Sequence, residues 1–128
     1  MADPSYPDDL LYHPEHDWAR VDGDEATFGI TWYAQDALGE VVFFDPPQVG
    51  AQVKKDEAYT EVESVKAVSD VFAPLSGEVT EVNDELKDKP ETINEDPYGD
   101  GWLVKIRLSD PSEAESLMDA AAYEATLS

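Results

Sequence analysis

The sequence predicts a mainly β domain, a compact sandwich or barrel of short strands closed by a C-terminal helix. Three observations predict it. Short stretches along most of the chain alternate apolar and polar residues, the periodicity of half-buried strands. Gly, Pro, Asp and Asn punctuate them at short intervals, as in small antiparallel sheets. Helical spacing behind a capped start appears clearly only after Asp110.

Trp18-Ala-Arg-Val and Ala26-Thr-Phe-Gly-Ile-Thr flank Asp22-Gly-Asp-Glu, which is hairpin chemistry. Thr31 to Leu38 reads as one or two helical turns, and Val41-Val-Phe-Phe as a buried strand ended by Pro46-Pro47 and Gly50. Ala58 to Glu63, Val71 to Ala73 and Gly77 to Val82 continue the alternation. From Trp102 to Leu108, one face carries Trp102, Val104, Ile106 and Leu108 and the other is mixed. Asp110-Pro-Ser-Glu113 supplies an N-cap, a proline at the first helical position and a capping-box glutamate. Leu117, Met118, Ala121 and Ala122 then form one apolar stripe. Pro47-Gln-Val-Gly50 and Pro74-Leu-Ser-Gly77 share a P-x-x-G pattern, read either as a weak internal repeat or as two turns of like composition.

At 128 residues the chain forms one domain, 1–128, with an N-terminal extension over about 1–11 and a helical segment over about 110–127. It has 8 basic residues against 30 acidic ones, a net charge of −22. That excludes nucleic acid and anionic membrane surfaces as partners, because both demand clustered cations. It fits a basic partner, a salty solvent, or a merely solvated surface. The chain has no cysteine, so disulfides and thiolate sites are excluded. The first residues lack the basic and apolar blocks of a targeting peptide, and no apolar run is long enough to span a membrane. A cytoplasmic location fits best, with a mature organellar chain as the alternative.

The chemistry that could reside here is limited. His13 and His16 are the only histidines; Pro14 between them and the lack of a third soft ligand favour a packed turn over a metal site. Neither a nucleophile elbow nor a phosphate loop is present. Lys66 stands in Glu63-Ser-Val-Lys-Ala-Val-Ser-Asp70 between two strand-like flanks, at the tip of a hairpin. A solvated turn lysine is the ordinary reading. The other is an accessible amine that a ligase acylates; lysine plus an eight-carbon acyl chain reaches about 10–15 Å from the backbone.

Several stretches together resemble a known family. They are His16-Asp-Trp18, Ala26 to Thr31, Tyr33-Ala-Gln-Asp-Ala-Leu-Gly-Glu-Val-Val-Phe43, Val62-Glu-Ser-Val-Lys-Ala-Val-Ser-Asp70, Pro74-Leu-Ser-Gly-Glu-Val79 and Asn94-Glu-Asp-Pro-Tyr-Gly-Asp-Gly-Trp102. From Tyr12 to Leu127 the chain resembles the H protein of the glycine cleavage system, a lipoyl carrier. The resemblance implies a barrel-sandwich hybrid of small antiparallel sheets with the lipoyl lysine on a hairpin. It implies lipoic acid in amide linkage to Lys66, and a carrier without turnover of its own. Its partners are then the P protein (glycine decarboxylase), the T protein (aminomethyltransferase), the L protein (dihydrolipoyl dehydrogenase) and a lipoyl ligase or transferase, with the carrier a monomer. The arm takes the aminomethyl group from the P protein to the T protein, and the L protein reoxidises the dithiol.

The resemblance also implies a cleft into which the loaded arm folds, with Glu15, Asp17, Ile30, Ala34, Leu38, Ala67, Val68 and Asp70 at the matching positions. Acidic lining suits a protonated amine and an apolar floor suits an alkyl chain; Ile30 and Leu38 read equally well as ordinary core. Asp17 replaces a glutamate of the family pattern on a shorter stem, Trp32 stands where an aspartate is common, and Phe44-Asp-Pro-Pro replaces a more usual Glu-Leu-Pro. The lysine motif is untouched. Two other functions stay open: an H-like carrier that relays lipoyl groups to other complexes, and an acidic interaction module with an unmodified Lys66.

Overall fold

The computed structural model describes residues 6–127. In chain order the elements are β1 (Leu11–His13), β2 (Asp17–Asp22), β3 (Glu25–Ile30), α1 (Trp32–Leu38), β4 (Val41–Asp45), β5 (Gln52–Val53), β6 (Ala58–Ser64), β7 (Val68–Phe72) and β8 (Gly77–Val82). Then come α2 (Glu85–Asp88), α3 (Thr92–Glu95), β9 (Val104–Leu108), a 3-10 helix (Pro111–Ser116) and α4 (Ala120–Thr126). Six strands form one antiparallel sheet in the order β1-β2-β3-β9-β8-β5, and β4-β6-β7 form a second. The fold is the predicted mainly β sandwich of antiparallel sheets with a C-terminal helix.

Local chemistry accounts for the strand pairing. Asp22 pairs with Glu25, leaving Gly23-Asp24 as a two-residue loop, and Gly23 supplies the positive φ of 67° that such a turn requires. Trp18 pairs with Gly29 across β2 and β3; the indole lies where a Cβ on Gly29 would stand. Gly77 opens β8 where its backbone passes against the Arg107 carbonyl and no side chain fits. Gly50, its counterpart in the other P-x-x-G stretch, is exposed with a φ of +95° and open space around it. The two glycines therefore answer different demands, close approach in one case and a left-handed turn in the other.

Between the sheets lies the main core, with Phe28 from β3, Phe44 from β4, Val62 from β6, Val71 from β7, Val79 from β8 and Val104 and Ile106 from β9. Each such side chain contributes about 1.5–3 kcal/mol by leaving water. On the other face of β1 and β2, Leu10, Tyr12, Trp18, Ala120 and Tyr123 form a second cluster. Tyr12 stacks on Tyr123 at 4.8 Å, and Trp18 Nε1 donates to the Pro97 carbonyl at 2.9 Å.

Several expectations need correction. The helical segment over 110–127 is two pieces. Asp110 caps the 3-10 helix by accepting from Ser112 N. Tyr12 and Met118 then exchange backbone hydrogen bonds of 2.8 and 2.9 Å, which draws the chain out straight until Asp119 caps α4. Glu113 does not close a capping box; its carboxylate accepts from Ser76 N and Ser76 Oγ. The apolar stripe is displaced accordingly: Ala120 and Tyr123 are buried, whereas Ala121 and Ala122 are exposed. Within the N-terminal extension, residues 1–5 lie outside the described part, but Leu10 is fully buried and Tyr6 packs on Tyr12 and Tyr123. In β4 only Val41 and Phe44 are buried, because a bulge between Val41 and Phe43 turns Val42 outward beside Phe43. The last strand begins at Val104, two residues after Trp102, and α2 and α3 were not foreseen.

Candidate functional site

Lys66 lies in the turn between β6 and β7, exposed, with Val65 before it and Ala67 after it. One buried hydroxyl organises that turn. Ser64 Oγ accepts from the backbone N–H of Lys66 at 3.2 Å and of Ala67 at 3.1 Å, and donates to the Ala67 carbonyl at 3.2 Å. Ser64 N also donates to the Ala67 carbonyl, and Val65 N donates to the Glu40 carbonyl at 3.0 Å, which joins the turn to the loop after α1. This is a serine turn that the Glu-Ser-Val-Lys stretch already contained, although its spacing signal is short. The lysine backbone is thereby fixed while its side chain stays exposed.

Beside the turn lies a depression of about 360 Å³ lined by Glu15 and His16 from the β1–β2 turn, Tyr33, Ala34 and Leu38 from α1, and Ala67, Val68 and Asp70 from the hairpin. Its floor continues into a narrow space of about 40 Å³ that reaches Ile30, Val62 and Val71. Seven of the eight expected cleft residues therefore sit together around one opening: Glu15, Ile30, Ala34, Leu38, Ala67, Val68 and Asp70. Ile30 is both core and floor, so the two readings of that residue coincide.

Asp17 does not join them. It is 2% exposed and turned into the protein. The Phe72 N–H donates to its carboxylate, while Oδ2 has no hydrogen-bond partner. His13 Nδ1 stands 3.8 Å away, too far for a hydrogen bond, and that nitrogen already accepts from Glu15 N at 3.1 Å. The His13 proton is therefore on Nε2, which donates to Asp56 Oδ1 at 2.6 Å. Burial first, and then the Glu15 charge, push the Asp17 carboxyl well above the ordinary carboxylate range, opposed by the Phe72 N–H.

His16 is the cleft residue that sequence reasoning assigned only to turn packing. Its backbone has φ 72°, its ring lies 4.5 Å from that of Tyr33, and its Nδ1 meets the Tyr123 hydroxyl at 2.8 Å. Burial lowers its pKa, with Glu15 opposing. Tyr123 also meets Thr31 Oγ1 at 2.8 Å, and Thr31 caps α1. The cleft wall is thus tied to the C-terminal helix. Among the described residues no group of three His, Asp or Glu side chains is placed to hold a metal.

A larger hollow of about 510 Å³ opens on the other flank of α1, beside Gly39. The Lys66 Cε lies 3.5 Å from where a Gly39 Cβ would stand, so the lysine stem passes beside Gly39 at the edge of this hollow. The side chains of that hollow are all polar, with Gln35 and Asn94 already bonded to each other at 3.1 Å. Asn94 also accepts from Val41 N and donates to the Gly39 carbonyl, a cross-tie that gives this asparagine a structural role. In the smaller opening an alkyl chain finds the apolar side chains of Ile30, Leu38 and Val62.

The whole chain matches one family of known proteins. The family model for the glycine cleavage H-protein matches residues 10–128. The chain belongs to the glycine cleavage H-protein family. It is 55% identical over 119 residues to the glycine cleavage system H protein of Symbiobacterium thermophilum, covering 93% of each chain. It is 53% identical over 117 residues to the probable H protein of Haloarcula marismortui, covering 91% of this chain and 92% of that one. Among solved structures, the H protein of Mycobacterium marinum superposes with a TM-score of 0.87 at 39% identity, covering 94% of this chain and 98% of that one. The names of these relatives describe a component of the glycine cleavage system. No helix among the described residues is long and apolar enough to cross a membrane.

Proposed function

We propose that the chain is the lipoyl-carrying shuttle of glycine cleavage, with lipoate in amide linkage to Lys66. The observation that carries this reading is the pairing of an exposed lysine on a fixed turn with an adjacent cleft that has an apolar floor and a carboxylate rim. Attached lipoate supplies a dithiolane whose sulfurs carry the one-carbon unit and the electrons. The residues present fit such a group. Ile30, Leu38 and Val62 suit the alkyl stem, and Glu15 and Asp70 favour a protonated amine at the rim. Folding the arm into this opening removes it from water, which protects a labile group in transit. Family membership supports the partner set, with the P protein loading the carrier, the T protein unloading it and the L protein reoxidising it.

Intact mass tests the attachment. Co-expression with a lipoyl ligase is expected to add one lipoyl group, and Lys66→Arg to abolish the addition; an unchanged wild-type mass refutes the reading. Glycine-dependent bicarbonate exchange with purified P protein tests the place in glycine cleavage. Exchange is expected with the lipoylated chain, and its absence points to a relay carrier.

A further inference from the structure

Tyr33 is the second residue of α1 and has no part in the cleft that the family resemblance implies. It is 39% exposed, and among the described residues only one other aromatic side chain, Phe43, stands among the large exposed apolar groups. Of the two, only Tyr33 lines the depression beside Lys66. Its ring lies 4.5 Å from that of His16, with the planes 36° apart. His16 lines both the depression and the narrow space beneath it.

The pair is held in place against backbone strain. His16 has φ 72°, a left-handed conformation that a residue with a Cβ rarely adopts. Three hydrogen bonds fix it there. Its N–H donates to the His13 carbonyl at 2.9 Å, its carbonyl accepts from Thr31 N at 3.1 Å, and its Nδ1 meets the Tyr123 hydroxyl at 2.8 Å. Thr31 also caps α1 by accepting from Ala34 N, so the His16 turn and the helix that carries Tyr33 share one anchor. A turn that served only to join β1 to β2 could take glycine at this position without strain. Strained residues held by several partners cluster where a site needs fixed geometry, and here the strain presents an open aromatic ring to a cleft.

We propose that Tyr33 is a further binding residue of the cleft, against whose ring the sulfur end of a loaded lipoyl arm rests, and that His16 is the positioning residue that holds this ring. The inference rests on the reading of Lys66 as the lipoyl site and of the cleft as the seat of the arm. Bonding argues for the sulfur end. In a loaded arm the carbon that bears the amine is bonded directly to sulfur. A protonated amine drawn to the Glu15 and Asp70 carboxylates therefore brings its sulfur beside His16 and Tyr33, which line the same opening. The surfaces match, since a soft, polarizable sulfur packs favourably against an aromatic ring. Tyrosine suits the mouth of a cleft, where its ring meets the arm and its hydroxyl stays in water.

The test uses the full chain, lipoylated by a lipoate ligase with lipoate and ATP and then loaded by P protein with glycine, with intact mass confirming both steps. One arm sulfur then carries the aminomethyl group and the other is a thiol. The rate at which a water-soluble aromatic disulfide captures that thiol reports its exposure. Tyr33→Ser is expected to speed capture about tenfold, and Tyr33→Phe to leave it unchanged, because the ring face makes the contact. His16→Asn tolerates the left-handed backbone but lacks the ring, and is expected to speed capture several-fold. Val49→Ser removes an apolar side chain that is 62% exposed elsewhere, and is expected to change nothing. The Tyr33 ring-proton resonances are expected to move on loading in the wild type and to stay in place in the Lys66→Arg chain treated alike. Thermal melts verify that each variant folds. A wild-type capture rate in Tyr33→Ser, an equal gain in Val49→Ser, or unmoved ring resonances overturn the proposal. Failure of the wild-type chain to take up lipoate or to load is a different outcome and refutes the proposed function itself.

Discussion

Asp17 is a buried acid with one oxygen unpartnered, and its energetics follow from that. Its folded-state pKa lies above the unfolded value of 3.8. Its contribution to stability is therefore fully present below pH 3.8 and is lost as the pH rises through the folded pKa. At pH 7 the folded chain carries the cost of either burying a charge or holding a proton against solvent. Asp17→Asn keeps an acceptor for the Phe72 N–H and removes that cost. Denaturant titration is expected to show the variant more stable by about 1–2 kcal/mol at pH 7, with the gain vanishing below the ordinary carboxylate range. The family resemblance implies a cleft position for this residue because a carboxylate stands at the matching position. Whether that carboxylate is buried or lines the opening is a packing outcome that pattern alone does not answer.

The elements were legible where alternation and turn chemistry acted locally. The β2–β3 hairpin, α1 and the hairpin carrying Lys66 needed no long-range information. The C-terminal segment did. Its caps were readable in Asp110 and Pro111, but the break at Met118 comes from pairing with Tyr12 more than a hundred residues earlier. The bulge in β4 was hidden for a like reason, since four consecutive apolar residues look the same buried or half exposed. The short α4 is held by tertiary contacts, chiefly the Tyr123 hydroxyl shared between His16 and Thr31. Tyr123→Phe keeps the ring stacked on Tyr12 and leaves both partners short of a bond. It is expected to cost about 1–2 kcal/mol by denaturant unfolding. Burial lowers the His16 pKa below 6.5, so its contribution is present above pH 6.5 and is lost as the pH falls through the folded value. Stability is therefore expected to drop across that interval in the wild type.

At the scale of the molecule, a net charge of −22 on 128 residues means self-repulsion that a few ion pairs do not offset. Raising salt from about 0.1 M to about 1 M shortens the screening length from about 10 Å to about 3 Å. Thermal melts are expected to shift upward by about 5 °C or more over that range, and an unchanged or lower midpoint counts against repulsion as the limiting term. Under the proposed function, the same charge makes docking on basic partners salt-sensitive. The Ser64 hydroxyl bears on that docking. Because it orders the turn during folding, an enzyme that took up Lys66 under the proposed function would have no loop to freeze in order to bind it. The entropy lost on association is confined to one side chain and its cargo. Every such partner would also meet the same backbone, so differences in dwell time among them would arise from their own surfaces and from what an arm on Lys66 carries.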